Sequence, residues 1–390
     1  MRPDLTIAIA GDWAPIRALE PVVRGTPEAA YGDTLPGLRA ADLRVVNCEC
    51  ALTEVDEPVW KSGAVFKGRP GHVAGLAAVP FDVACLANNH VFDYGLRGFR
   101  ETLDVLRRNG LRTVGAGLTR DEALAPLSVA AGKTRITILN FGEGEDLTAS
   151  RGGPGVCGWE IPEIAARVRR AKARGDFVVV VAHAGLEYIP FPPPYVVGAF
   201  RALSDAGADC VVGHHPHVPQ GLEVRRGNLI AYSLGNFVFW QPGDLYYRRT
   251  GFVLHLRVRR GRLAGYELMP YRITDRGLRR LRGREAAEFR RSLERVSKPL
   301  ASAKGVSDAW RAYLSYYGPA GFKKEVLSIL EKMETEPRKG AAMFRNRVTT
   351  LQHVELWRDA LTQFMAGTPE PVPARLARTI ADWFTRPVAE

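Results

Sequence analysis

GADCVVGHHPH, residues 207–217, runs from a short apolar segment straight into three histidines set around a proline. A run of β-branched residues that stops abruptly at a polar cluster reads as a buried strand meeting the edge of its sheet. Pro216 prevents a helix at that point, so His215 and His217, two residues apart, can turn their rings toward a common point. The other reading has one histidine capping the strand and the rest stacked or exposed. Just upstream, FVVVVAH (177–183) repeats the pattern with a single histidine. The same theme extends back through LTIAIA (5–10), LRVVNCE (43–49), DVACLAN (82–88), RTVGAG (112–117) and ITILNF (136–141). Amphipathic stretches at 96–109, 161–174 and 195–206 predict helices between them, which makes the chain α/β.

Beyond residue 220 the rhythm changes. LEVRRGNLIAYSLGNFVFW (222–240) carries a Gly-Asn turn, and GFVLHLRVRRGRLAGYELMPYRI (251–273) turns at Arg-Gly-Arg, so both predict antiparallel hairpins at the end of the sheet. After about residue 280 only helical spacing remains, in REAAEFRRSLERV, SDAWRAYLSYY, FKKEVLSILEKM, AAMFRNRVTTLQHVELWRDALTQFM and ARLARTIADWF. Two units are expected: an α/β domain over 1–275 and an all-helical region over 276–390.

The 390 residues are 46% hydrophobic and 25% charged, an ordinary folded composition, with a formal net charge of +12. Such a charge favours an acidic partner: a phosphorylated or carboxylated small molecule, a polymer, a nucleic acid or an anionic membrane. No nucleic-acid module accompanies it, and RVRRGR (257–262) lies between strands, so no nucleic acid is expected. The five cysteines, at 48, 50, 85, 157 and 210, form neither a disulfide framework nor a CxxC pair, which suits a reducing compartment. With no leader and no apolar run of about 18 residues, the sequence predicts a cytoplasmic protein without a membrane span.

The polar clusters share a position. Gly11-Asp12, Asn47-Cys48-Glu49, ANNHVFDYG (87–95), AHAGLEY (182–188) and GHHPH (213–217) all end predicted strands, where open α/β sheets place ligands. Asp12, Glu49, Asn89, His183 and a histidine of the 214–217 cluster supply carboxylate, amide and imidazole donors for one or two divalent ions, Mn, Mg, Zn or Fe. Each alone also reads as a turn or cap; five together at five strand ends favour ligands. Asp93, three residues after His90, can hold that imidazole in one tautomer and make it a general acid, or can cap the helix that begins near Tyr94. In Cys48-Glu49-Cys50, strand alternation sends both sulfurs one way and Asn47 and Glu49 the other, which reads the thiols as core filler.

The ordered motifs NxExxLT, ANNHxxDYGxxGxxxTLxxLxxxGxxxxGAG, HxGxEYxPxP, DAGADxVVGHHPHVxQ and YSLGNFVF resemble the bacterial CapA family, associated with poly-γ-glutamate capsule biosynthesis, from Ala10 to about Trp240. That family is in turn similar to the calcineurin-like metallophosphoesterases. The resemblance implies a four-layer α/β/β/α sandwich, to which helical spacing beyond about residue 280, outside the resemblance, adds an all-helical C-terminal region. It also implies a two-metal site at the strand ends, in which the metals polarise a phosphoryl or acyl oxygen and generate hydroxide. By that resemblance Asp12, Glu49 as a bridging carboxylate, Asn89, His183, His215 and His217 would be metal ligands, and His90, oriented by Asp93, would protonate the leaving group. From the residues themselves, substrate contacts are expected from His214, Glu187, Tyr188, Lys67 and Asn236; the Pro-rich loop LEYIPFPPPYVVGAF (186–200) with Tyr195 reads equally as a pocket wall or a plain connector, and Lys61, Lys67 and Arg69 as anion contacts or solvated side chains. The sequence departs from the phosphoesterase pattern in two places. Trp13-Ala14 follows Asp12 where Asp-x-His is usual, and Val91 follows His90. Two functions are expected: a metal-dependent enzyme acting on a phosphoester or glutamyl-type amide of an anionic substrate, or a non-catalytic accessory or scaffold protein of capsule or metabolite biosynthesis. In either, the tail helices are candidates for a homo-oligomer interface.

Overall fold

The computed structural model describes residues 5–367 and 371–388. Apart from four two-residue strands that pair into two small ladders, its strands in chain order are β1 (Leu5–Trp13), β2 (Leu43–Cys48), β3 (Val83–Cys85), β4 (Arg112–Val114), β5 (Leu127–Ala131), β6 (Thr134–Gly142), β7 (Phe177–His183), β8 (Cys210–His214), β9 (Leu222–Arg225), β10 (Asn228–Ala231), β11 (Thr250–Arg259), β12 (Arg262–Thr274) and β13 (Gly277–Arg280). They form a seven-stranded sheet in the order β13-β12-β11-β1-β2-β3-β4 and a six-stranded sheet in the order β9-β10-β8-β7-β6-β5.

Strand β7 shows why two sheets arise. All of its residues are buried, and successive side chains go to opposite faces. Phe177, Val179 and Val181 join a core with Ile7, Ile9, Val45 and Val83 of the other sheet. Val178, Val180 and Ala182 instead meet α2 (Ile161–Ala173) and α3 (Pro194–Asp205) through Val168 and Phe200. On the far side Ala8, Ala10, Val46 and Cys48 meet Phe99 and Leu106 of α1 (Gly95–Arg108). The result is the α/β/β/α sandwich that the resemblance implied. Strands β1 to β4 run parallel, as do β6, β7, β8 and β10, and the carboxyl ends of β1, β2, β6, β7 and β8 bring Asp12, Glu49, Glu143, His183 and His214 to one rim.

One hairpin turns a residue before the Gly-Asn pair, and the other turns within the expected Arg-Gly-Arg. Between β9 and β10 the turn is Arg226-Gly227, at φ 52° and 85°, and between β11 and β12 it is Arg260-Gly261, at φ 50° and 69°. Two central residues at positive φ give the tight turn whose twist matches the flanking strands. Strand β5 has no counterpart in the sequence reading. Its residues LSVAA pair antiparallel with β6 at the sheet edge and are only partly buried, which leaves a weak pattern.

The helices that follow are α4 (Gly283–Ser297), α5 (Ala303–Thr335), α6 (Pro337–Thr349), α7 (Leu351–Met365) and α8 (Ala374–Thr385). The single helical segment read over 341–365 is broken at Thr350, which is extended at φ −88° and ψ 128°. Gly318, at φ 54° before Pro319, kinks α5 at the joint the sequence indicates. Phe289 and Leu293 of α4, with Ile380 and Trp383 of α8, enter the inter-sheet core. Trp310 and Leu314 of α5 and Leu356 and Ala360 of α7 enclose Leu186 and Ile189 of the Pro-rich loop. The tail is therefore packed onto the rim of the sandwich. Trp310 is 5% exposed, and its Nε1 donates to Asp359 at 2.8 Å. Trp310→Ala should lower the unfolding free energy by about 3–5 kcal/mol in urea titration; an unchanged midpoint would contradict this packing.

Candidate metal centre

The YSLGNFVF segment builds the floor by crossing from one sheet to the other. The Leu234 amide donates to Gly213 O at 3.3 Å, and that of Phe237 to Asp12 O at 2.8 Å. The backbones approach so closely that a side chain at Gly11 would collide with Gly235 O. This crossing presses Asp12 against the histidine loop. His215 and His217 adopt φ of 93° and 57°, conformations that cost a non-glycine residue about 1–3 kcal/mol and concentrate at functional sites.

Six predicted ligands converge. His183 Nε2 lies 3.0 Å from Asn89 Oδ1, 3.0 Å from His215 Nδ1 and 3.5 Å from Glu49 Oε1. His217 Nε2 is 3.7 Å from the same Glu49 oxygen, and its Nδ1 is 3.3 Å from Asp12 Oδ2. Two donor groups result, Glu49–His215–His217 and Asp12–Glu49–His183, and Glu49 belongs to both. The far nitrogens of two histidines are held by amide oxygens: His215 Nε2 donates to Gln352 Oε1 at 3.1 Å, and His217 Nδ1 to Asn236 Oδ1 at 2.8 Å. Such partners fix the tautomer and aim the remaining nitrogen inward.

The charges favour a cation. Both Glu49 oxygens, Asp12 Oδ2 and both ring nitrogens of His214 are buried without a hydrogen-bond partner. Burial and the neighbouring Asp12 push Glu49 well above the usual carboxylate range. Against its own burial, Asp12 is held well below that range by His214 and His217. Burial and His215 keep His183 neutral, the form that can ligate a metal. His217 is driven the other way, to about 10, because Glu49, Asp12 and Glu187 outweigh its burial. A pocket with that much proton affinity and so many unpaired oxygen and nitrogen lone pairs fits a divalent ion.

His90 stands beside the donors. Its Nδ1 contacts Asp93 Oδ2 at 2.6 Å, and its ring stacks on Phe66 with centroids 3.9 Å apart. Asp93 makes no helix cap; its carboxylate binds His90, the Phe66 amide and Lys61 Nζ, the last at 2.8 Å. Burial and Lys61 lower the His90 pKa despite Asp93.

Other predicted contacts fall differently. Glu187, Tyr188, His217, Asn89 and His90 line a cavity of 290 Å³ over the donors. His214 and Asn236 are buried beneath it, His214 Nδ1 lying 3.2 Å from Asp12. Lys67 is turned away, paired with Asp56 and lying over Tyr94, while Lys61 is the lysine that enters the site. Cys48 and Cys50 sit on the helix side of the sheet, away from Glu49's partners.

The sequence reading passes over Glu143, Glu145, Asn346, Gln352 and His353. The two glutamates end strand β6, so the strand-end rule applied to the other clusters would have found them. Glu143, raised to about 7 by burial, accepts from the amides of Gly185 and Gln352. Glu145 is held at about 2, against its burial, by His215, His353 and Lys61, and accepts from Asn89 and Asn346 at 2.9 and 2.8 Å. The tail residues carry no sequence signal, since they reach the site only because α6 and α7 pack there. A larger cavity of 540 Å³, lined by Leu222, Tyr266, Leu268 and Leu293, holds no comparable donor cluster.

Among the described residues no helix is long and apolar enough to cross a membrane. The profile of the bacterial capsule synthesis protein PGA_cap matches residues 6–241. The chain is 40% identical over 170 residues to the PGA biosynthesis protein CapA of Bacillus subtilis (strain 168), an alignment covering 43% of this chain and 44% of that protein. It therefore spans less than half of that relative's length. A "Probable polyglutamine synthesis accessory protein" of Mycobacterium tuberculosis (strain ATCC 25618 / H37Rv) is 30% identical over 291 residues, 69% of this chain and 76% of the relative. The solved 5'-nucleotidase precursor from Thermus thermophilus superposes with a TM-score of 0.44 and 16% identity over 71% of this chain and 54% of that one. With its profile match spanning residues 6–241 and its strand-end motifs in place, this chain belongs to the bacterial capsule synthesis protein PGA_cap family.

Proposed function

We propose that this chain is a metal-dependent enzyme acting on a phosphoester or a glutamyl-type amide of an anionic biosynthetic substrate. The observation that carries this reading is Glu49, buried, hydrogen-bonded at neither oxygen and common to two donor groups. Asp12, Glu49, Asn89, His183, His215 and His217 would hold one or two ions of Mn, Zn, Fe or Mg. Ions so held supply Lewis-acid polarisation and a hydroxide nucleophile near neutral pH.

The chain's own groups supply the rest. Asp93 accepts from His90 Nδ1 and leaves Nε2 to exchange a proton with the leaving group. Lys61 opposes a proton on His90 in the resting site; an anion in the cavity offsets Lys61 and restores proton affinity at Nε2. Phe66 keeps one face of that ring dry. Glu187 and Tyr188 border the cavity mouth.

A second reading, a non-catalytic accessory or scaffold protein with a degenerate centre, draws support from the exposed Tyr316, Leu327, Leu330, Phe344 and Val348 of the tail helices, which would suit a partner surface. The M. tuberculosis relative's printed description as an accessory protein is compatible with it.

Elemental analysis of the purified chain separates the two. The enzyme reading expects stoichiometric metal and its loss in Asp12→Ala, Glu49→Ala and His183→Ala; protein that stays folded, metal-free and inert in excess Mn would sink it. His90→Ala should retain metal and lose about 10²–10⁴-fold in turnover, the range of general acid–base catalysis, and metal loss in that variant would contradict the assignment. Gln352→Leu should weaken metal binding about 10–100-fold, as loss of a ligand's outer partner does. An unchanged competition titration against a chelator would show that α7 does not orient His215.

A further inference from the structure

Two arginines face the cavity above the donors without an ion-pair partner among the described residues. Arg17 lies in the loop after β1, at φ 55°; its guanidinium donates to Trp240 O at 3.4 Å and sits 5.7 Å from the Phe66 ring centroid. Phe66 in turn stacks on His90, so Arg17 stands on the His90 side. Arg248 comes from the turn before β11 and lies 3.9 Å over the Tyr188 ring. Tyr188 is 5.7 Å from His217, so Arg248 stands on the His217 side. Both arginines line one cavity of 290 Å³ together with Asn89, His90 and His217.

Most arginines around the rim are already engaged, as Arg69 is with Glu54 and Arg347 with Glu325. Arg17 and Arg248 rest on π faces and one carbonyl, which leaves their forked N–H donors for a ligand. Glu145 is occupied by Asn89 and Asn346, and Glu187 is drawn toward His217. Resting on the reading of the centre as an ion-holding site, we infer that Arg17 and Arg248 bind a second oxyanion of the substrate, apart from the group that meets the metal. The substrate class is a two-ended anion, a dicarboxylate or a phosphorylated carboxylate, short enough to lie within this cavity. A flexible neutral ester would leave both guanidiniums uncompensated beside the centre.

Calorimetry on the Mn-loaded full chain tests this with matched probes: acetate against glutarate, and methylphosphonate against 3-phosphonopropionate. The two-ended member of at least one pair should bind the wild type about tenfold tighter or more. The preference should vanish in Arg17→Gln/Arg248→Gln, with Mn content and one-ended binding unchanged. The pair that shows the preference identifies which oxyanion meets the metal. Equal affinity within both pairs, a preference that survives the double substitution, or loss of Mn from that variant each overturns the inference. A chain that takes up no Mn fails at the loading step and overturns the centre with it; one that takes up Mn and shows no preference overturns the arginine assignment alone.

Discussion

Glu49 is a carboxylate taken wholly out of water, with neither oxygen hydrogen-bonded and Asp12 close enough to raise its pKa further. Keeping such a group dry and without hydrogen bonds costs several kcal/mol, which His217 at 3.7 Å offsets in part and a cation would offset further. The surrounding architecture is arranged around that constraint. The carboxyl ends of parallel strands from two sheets meet over Glu49, and the amide of Glu49 is tied to Trp13 O at 2.9 Å, so the residue cannot swing out to solvent. The Tyr232–Phe239 segment locks the sheets together at the same level.

Rigidity at this rim has a geometric source. Gly11 and Gly235 let two backbones touch, and the left-handed His215 and His217 are held by amide oxygens on their far sides. Each device is locally unfavourable or demanding. Together they fix the donor directions, which is what preorganisation of a site requires.

Much of this was legible because it follows from alternation. FVVVVAH and ADCVVGH are uninterrupted apolar runs, so both faces of their strands had to be covered, and the polar residues that end them had to share a rim. The same parity separated Cys48 and Cys50 from Glu49. Parity fails where chain direction changes. Lys67 follows Glu49 closely enough in sequence to suggest an anion contact, yet its loop carries it to Asp56, and Lys61, from the same loop, reaches Asp93 instead. The edge strand β5, half-buried, gave too little contrast to register. Gln352 lies on a helix whose docking depends on Trp310, Leu314 and Leu356 finding Leu186 and Ile189, a long-range fit that no local pattern encodes, and Asn346 lies on the helix just before it.

That docking bears on what family membership can transfer. The profile match ends at residue 241, so the donors lie inside it while Asn346, Gln352 and His353 lie outside. Gln352 links His215 to α7 through its side chain and Glu143 to α7 through its amide; Asn346 holds Glu145, which holds Asn89. A second cavity of 290 Å³, lined by Tyr313, Tyr317, Arg347 and His353, shares Gly63, Glu145, Glu187 and Tyr188 with the one over the donors. The chemistry-bearing part and the part that shapes the room around it are thus coded in different segments of the chain. In this chain the family match covers the donor set, while the space over it is shaped by helices that lie beyond the matched segment.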